Sequence, residues 1–131
     1  MEASPSPYDQ SALLVALWAL GAPGEPLPVS DALDRALHAC ASELPASLGR
    51  LTFSVTHVGL RCFELPAILL SAQDGMMLVE EPAAQRMRVQ MGDDAARQTV
   101  LRHGISTVEA RRIGAALQAE VARLLRVAAM W

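Results

Sequence analysis

The residues best suited to chemistry in this 131-residue chain are two cysteines and three histidines. Cys62 follows His57 by five positions, and a thiol in hydrogen-bond contact with an imidazole could act as a nucleophile. Nothing else in the sequence marks such a pair, and the histidines lack HxxxH or HExxH spacing for a metal. We therefore expect His57 to extend the inward row of a strand, and Cys40 and Cys62 to be inert buried thiols.

Adjacent carboxylates occur at 80–81 and 93–94. The first pair is expected to end a strand and the second to begin a helix, so structural roles explain both. The GxSxG and GxGxxG motifs do not occur, and a Walker phosphate loop needs a lysine, which the sequence lacks. The sequence therefore predicts no catalytic residues, no cofactor and no metal.

All 11 basic residues are arginines, against 14 acidic residues. The resulting net charge of −3 disfavours general contact with nucleic-acid phosphates. Arg86 and Arg88 are expected on one face of a strand, and Arg111 and Arg112 on the last helix. A solvated surface explains these side chains, and the alternative is a local anion-binding or nucleic-acid patch.

The predicted elements that position these residues form a single α+β domain over residues 8–131, behind a disordered leader at 1–7. Asp9 and Ser30 are expected to cap two N-terminal helices. Four strands near 51–58, 67–71, 76–81 and 86–91 are expected to form a small antiparallel sheet. The N-terminal and C-terminal helices are expected to pack on that sheet.

Two helices are predicted near the C-terminus. Asp93 or Asp94 is expected to cap a short helix that ends near Gly104. Ser106 and Glu109 have the spacing of a capping box, which predicts the start of a long amphipathic helix.

The segment from Leu65 to Gly75 allows two interpretations. Asp74 and Gly75 between apolar runs favour a hairpin with strands at 67–71 and 76–81. Alternatively, Pro66 begins a helix at 65–73 with one apolar stripe. We prefer the hairpin, because short apolar runs beside glycine more often form strands.

The apolar content of 52% is high for a monomer of this size and indicates a surface covered by a partner. We expect a homodimer or a complex with another protein, contacted through exposed apolar stripes on the N-terminal and C-terminal helices. The predicted partner-binding residues are Leu13, Leu17, Trp18, Leu117, Val121 and Leu124. Trp18 and Trp131 are the candidate hot-spot aromatics.

The chain resembles the small acidic chaperones of type III secretion in its length, acidic pI, mixed α+β content and amphipathic C-terminal helix at 106–128. That resemblance implies a dimer that holds a segment of an exported effector and does not hydrolyse ATP. Those chaperones usually place a helix between their third and fourth strands, whereas the predicted order here places two helices before a run of strands.

The chain also resembles winged-helix regulators of the MarR or PadR kind. Residues 75–100, GMMLVEEPAAQRMRVQMGDDAARQTV, are similar to their strand, wing, strand and following helix. The resemblance implies that residues 63–73 are the recognition helix and that the last helix contributes to dimerisation. This helix would carry no arginine, so we expect it to engage protein at least as readily as DNA.

These observations predict a cytoplasmic, non-catalytic protein-binding module, an adaptor or a protein like a secretion chaperone. The alternatives are a winged-helix transcriptional regulator and a small enzyme with an unrecognised site. No membrane contact is expected, because the apolar stretch from Ala12 to Ala22 is too short to cross a bilayer.

Overall fold

The structure is a computed structural model that describes residues 5–28, 30–81 and 86–129. Its helices are α1 (Pro7–Gly21), α2 (Asp31–Ala39), α3 (Leu65–Asp74), α4 (Asp93–Arg102) and α5 (Thr107–Ala129). Its strands are β1 (Leu27–Pro28), β2 (Phe53–Thr56), β3 (Gly59–Cys62), β4 (Leu78–Glu81) and β5 (Arg86–Val89). The predicted α+β class with antiparallel strands is confirmed, and the described strands form two small sheets where one was predicted.

Helix α1 is the centre of the molecule. Every residue from Gln10 to Trp18 is buried, because the helix is apolar on almost all sides and is surrounded by other helices. It packs most extensively against α5, and then against α4 and α3. Much of the apolar content that indicated a partner surface is therefore enclosed within the chain itself.

Helices α1 and α5 touch through glycines. A Cβ atom added to Gly114 would overlap the carbonyl oxygen of Leu17 and lie 2.9 Å from the Cα of Gly21. A Cβ added to Gly21 would overlap the backbone of Gly114 and Ala115. The two backbones are therefore in direct contact, and only glycine fits at either position.

Hydroxyl groups cap three helices. The Ser6 Oγ accepts a hydrogen bond from the backbone N–H of Asp9, so Ser6 and not Asp9 is the N-cap of α1. Pro7 belongs to that helix, within the predicted leader, and residues 1–4 lie outside the described residues. Ser30 caps α2 as predicted, and Ser106 accepts from the Glu109 N–H at 3.1 Å at the start of α5.

The caps predicted for α4 were wrong by one position. Gly92 is the N-cap, and Asp93 and Asp94 lie in the first helical turn, where carboxylates still interact favourably with the helix dipole. Arg97 and Asp93 form an ion pair within this helix at 2.7 Å.

The larger sheet has three antiparallel strands in the order β1-β5-β4. Leu27 faces Met87, and Leu78 faces Val89. The strands predicted at 76–81 and 86–91 are confirmed with shorter bounds, and residues 82–85, predicted to be a loop, lie outside the described residues.

The strand predicted at 67–71 is wrong, and this segment belongs to α3. Leu65, Ile68 and Ala72 are its buried side chains, at the spacing of one helical face. Pro66 sits in the first turn, where its missing N–H costs no hydrogen bond. Gly75 ends the helix, and Met76 takes the positive φ of 61°. The alternative helical interpretation is therefore the right one.

The strand predicted at 51–58 is shorter, and its chain turns back as β3, which the sequence pattern did not identify. Thr56 stabilises the turn, since its Oγ1 accepts from the Val58 N–H and donates to the Gly59 carbonyl. Val55 is 85% exposed, so the expected half-buried alternation is wrong. His57 lies exposed in the turn and not in an inward row. We call residues 53–62 the β2–β3 hairpin.

Candidate functional site

The residues predicted to bind a partner lie inside the protein. Leu13, Leu17, Leu117 and Val121 are buried core side chains, and Trp18 is 1% exposed. The expectation that they form exposed stripes is therefore wrong. The physical reason is that α1 and α5 bury these stripes against each other and against neighbouring helices. Leu124 is partly buried against the same core, and Trp131 lies outside the described residues.

Trp18 has a structural role. Its indole Nε1 donates a hydrogen bond to the carbonyl oxygen of Glu25 at 3.0 Å, which ties the loop after α1 to the core. A buried tryptophan whose N–H is satisfied internally cannot serve as an interface anchor in this conformation.

The four arginines proposed for an anion site are not gathered into one basic patch. Arg111 donates to the Leu20 carbonyl and lies 3.5 Å from Asp93. Arg112 binds Glu109 at 2.6 Å and Glu43 at 3.1 Å, and its hydrogen bond lowers the pKa of Glu109.

The other two arginines border a mixed-charge depression. Arg86 lies 3.7 Å from Glu81. Arg86 and Arg88 line a depression of about 610 Å³ together with the carboxylates of Glu25, Glu81 and Asp93. Local carboxylates therefore offset the positive charge that an anion would need.

Cys62 and His57 are not brought together. Cys62 faces Phe53 at the base of the hairpin, whereas His57 occupies the turn at its tip, about 10 Å of strand away. Cys62 is buried as predicted, and burial raises its pKa to about 11, which keeps the thiol protonated near neutral pH. Burial also raises the pKa of Cys40.

The described part of the chain offers neither a metal site nor a membrane-spanning helix. Residues 5–28, 30–81 and 86–129 contain no group of three histidine, cysteine or acidic side chains that could hold a metal ion. Over the same ranges, no helix combines the length and apolar character needed to cross a bilayer.

A further concave surface is a groove that the sequence pattern did not indicate. It has a volume of about 780 Å³ and lies between α2 with the end of β1 on one side and α3 on the other, with the β2–β3 hairpin alongside. We call it the α3 groove. Its lining residues are Pro28, Ser30, Leu33, Asp34, Ser54, Thr56, Arg61, Cys62, Phe63, Leu65, Pro66 and Leu69.

A large aromatic side chain stands at the edge of the α3 groove. Phe63 follows β3 directly and is 80% exposed. Leu70, on the neighbouring turn of α3, is 59% exposed, and Pro66 and Ala67 are exposed between them. These exposed apolar side chains would gain free energy by leaving water.

Asp34 holds the floor of the α3 groove in place. Its carboxylate is 5% exposed and accepts a hydrogen bond from the Cys62 N–H at 2.9 Å. The guanidinium of Arg61 lies 3.5 Å from the other carboxylate oxygen. Because Asp34 belongs to α2 and Cys62 to β3, the pair ties the hairpin to the helix and preforms the groove.

The sequence offered a weak signal for this surface. In a helix at 65–73, Leu70 falls outside the buried stripe, so the helical interpretation itself predicts an exposed leucine beside Phe63. The groove walls come from segments that are far apart in sequence, and only the fold brings them together.

Comparison of this chain with protein-family models, characterised proteins and solved structures finds no match. A functional conclusion therefore depends on the geometry and chemistry of the α3 groove and on the arrangement of the elements around it.

Proposed function

We propose that this chain is a non-catalytic protein-binding module that accepts apolar side chains of a partner protein in the α3 groove. The observation that carries the proposal is Phe63, an 80%-exposed phenylalanine at the edge of a preformed concave surface. Exposed aromatic residues beside a pocket are typical of interface anchors. Full burial of such a side chain contributes about 1.5–3 kcal/mol, which is enough to dominate a small interface.

The chemistry of the groove supports an apolar ligand with few charges. The two charged lining residues, Asp34 and Arg61, already neutralise each other. The remaining walls are mainly aliphatic or aromatic carbon, with hydroxyl groups from Ser30, Ser54 and Thr56 along one side. Pockets of this kind select ligands by shape and apolar contact, with a few hydrogen bonds that fix orientation.

The arrangement of the elements supports the winged-helix resemblance and a protein ligand together. Helix α3, strands β4 and β5 and helix α4 follow in the order implied for recognition helix, strand, strand and helix. At the recognition position, α3 exposes Pro66, Ala67 and Leu70 and carries no basic residue. Such a surface lacks the donors that read base edges or phosphates, and it suits a protein partner.

A role as an adaptor, or as a chaperone like those of secretion systems, belongs to the same proposal. Helix α3 lies between the third and fourth strands. The chaperone resemblance implies a helix at this position, whereas the element order predicted from the sequence has none there. We place the protein in the cytoplasm. Cys40 and Cys62 are unpaired, which suits a reducing compartment.

The experiment that tests the proposal is selection of binding peptides from a random library displayed on phage, with the whole chain as the target. We expect the selected peptides to share one or two large apolar residues at fixed spacing. Nuclear magnetic resonance titration of the strongest peptide should shift the amide signals of Phe63, Leu65 and Leu69 more than those of α5.

Two variants make the selection specific. Phe63→Ser removes the exposed anchor, and its small buried fraction means that the fold should be unaffected. Val108→Ser is the matched control, because Val108 is 79% exposed on α5, outside the groove. Peptides that bind Phe63→Ser as tightly as the parent chain, or shifts confined to another surface, would contradict the proposal.

A DNA-binding regulator is the second candidate, favoured by the element order and by Arg86 and Arg88 on the exposed face of β5. Each phosphate that the protein neutralises makes the slope of the logarithm of the DNA-binding constant against the logarithm of the salt concentration more negative by about 0.9. The double replacement Arg86→Ser with Arg88→Ser should then flatten the slope by about 1.8, two phosphates at that value each. Absence of any DNA complex at low salt would exclude this candidate.

A further inference from the structure

The two edges of the β2–β3 hairpin differ in the hydrogen bonds of their backbone groups. The Phe63 N–H donates to the Thr52 carbonyl, so Thr52 and Phe63 form a hydrogen-bonded pair. Such pairs alternate along an antiparallel ladder, so Ser54 with Arg61 is the next one. The backbone N–H and C=O groups of Phe53 and Val55 therefore point away from β3.

The opposite edge of the hairpin confirms this alternation. Cys62, the partner of Phe53 in the register, directs its N–H outward on the β3 side and donates it to the buried Asp34 carboxylate. Within the described residues, no side chain or backbone group bonds the outward groups of Phe53 and Val55. The β2 edge therefore offers backbone groups to a further strand.

The β2 edge lacks the usual protection against strand pairing. Exposed edges are normally blunted by charged residues, proline or a bulge. Residues 51–60, LTFSVTHVGL, contain no Asp, Glu, Lys, Arg or Pro, and Ser54, Val55 and Thr56 are exposed. Although β2 has only four residues, its uncharged edge is open to pairing with a further strand.

The sequence of β2 matches itself in the antiparallel direction. The segment Thr52-Phe53-Ser54-Val55-Thr56 alternates polar and apolar residues symmetrically about Ser54. In two copies related by a two-fold axis through Ser54, each Phe53 faces the partner's Val55 and each Thr52 faces the partner's Thr56. Apolar residues then meet apolar residues, and no like charges meet despite the acidic net charge.

We propose that the chain forms a homodimer by antiparallel pairing of β2 with β2 of a second copy, centred on Ser54. Four backbone hydrogen bonds join Phe53 of each copy to Val55 of the other, and the two hairpins become one four-stranded sheet. Because a two-fold interface uses the same β2 edge on both copies, this pairing is complete with two copies. This inference goes beyond the proposed function, and it shares two residues with the α3 groove, since Ser54 and Thr56 also line that groove.

Sedimentation velocity over about three decades of protein concentration tests the dimer, and a charge exchange tests its geometry. Ser54 of each copy lies opposite Ser54 of the other in a non-hydrogen-bonded pair, about 4.5 Å apart at Cα. Ser54→Lys alone and Ser54→Glu alone should each weaken dimerisation roughly tenfold or more, because like charges meet directly. An equimolar mixture of the two should restore the dimer as a heterodimer.

Two further variants separate this result from misfolding and from the groove. Val55→Pro removes an outward N–H without removing a bond inside the hairpin. The variant should therefore sediment as a monomer and keep the circular dichroism spectrum of the folded parent chain. Phe63→Ser should leave the dimer intact. A parent chain that sediments as one copy at every concentration, open-ended aggregates, or a dimer that resists Ser54→Lys would each overturn the inference.

Discussion

Replacement of Gly114 by alanine tests the packing of α1 against α5 most sharply. An added Cβ would overlap the Leu17 carbonyl oxygen and lie 2.8 Å from the Leu17 carbonyl carbon. Backbone atoms cannot rotate aside as a side chain does, so the two helices must separate. Separation would open space around α1, whose residues Gln10 to Trp18 are all buried.

Two opposing effects set the change in the free energy of unfolding caused by Gly114→Ala. Alanine is intrinsically better than glycine in a helix by about 1 kcal/mol. Overpacking costs about 1–3 kcal/mol and more where backbone must move, and this contact is at the severe end. We expect a net loss of about 2 kcal/mol in the free energy of unfolding, which corresponds to a fall of about 8 °C in Tm at about 4 °C per kcal/mol.

Urea denaturation followed by far-UV circular dichroism measures this loss. Gly92→Ala is the control, because a Cβ at Gly92 meets no atom within 4 Å. Its cost should stay within about 1 kcal/mol, as for other substitutions at a helix N-cap. A Gly114→Ala variant as stable as the parent chain, or more stable, would refute the close approach of α1 and α5.

Three further predictions concern single residues. Asp34→Ala should lower the free energy of unfolding by about 2–3 kcal/mol, because it leaves the buried Cys62 N–H without an acceptor. Asp34→Asn should cost less. An Asp34→Ala variant with the stability of the parent chain in urea denaturation would contradict this. Met76→Gly should stabilise the protein by about 0.5–1 kcal/mol in the same assay, since Met76 has a φ of 61° and is exposed, and a loss of stability would exclude strain there. Burial raises the pKa of the Cys62 thiol from 9.0 to about 11. At pH 8 this thiol should therefore react with a thiolate-specific reagent about 100-fold more slowly in the folded protein than in the urea-unfolded protein. Equal rates would show that the thiol is accessible.

The sequence predicted best where local chemistry decides the structure. Ser30 and Ser106 lie at the N-caps of α2 and α5, because a side-chain oxygen can satisfy helix N–H groups without help from distant residues. The strand at 86–89 follows from its alternating pattern.

The sequence predicted poorly where burial by distant segments decides the structure. The spacing of Leu13, Leu17 and Trp18 predicts one exposed apolar stripe, whereas the helix is apolar on almost all sides, which is typical of a fully enclosed position. Asp74 and Gly75 resembled a hairpin turn, yet they end α3, and Met76 takes the left-handed conformation expected of a glycine. Only the neighbouring helices distinguish these alternatives.

The candidate site could not be predicted for a related reason. The helical interpretation of 65–73 leaves Leu70 off the buried stripe, but the exposure of Phe63 and the groove beside it depend on where α3 sits relative to the β2–β3 hairpin. Conversely, Leu117 and Val121 form an amphipathic stripe that proved to face α1 and α2 and not a partner.

Isothermal titration of one library-selected peptide into three forms of the chain tests the central claim, that the α3 groove is the protein-binding site. The parent chain and Val108→Ser should bind the peptide with the same Kd, and Phe63→Ser should bind it at least about tenfold more weakly, as expected for loss of roughly 1.4 kcal/mol or more. Equal affinity for Phe63→Ser and the parent chain, with weaker binding by Val108→Ser, would contradict the claim.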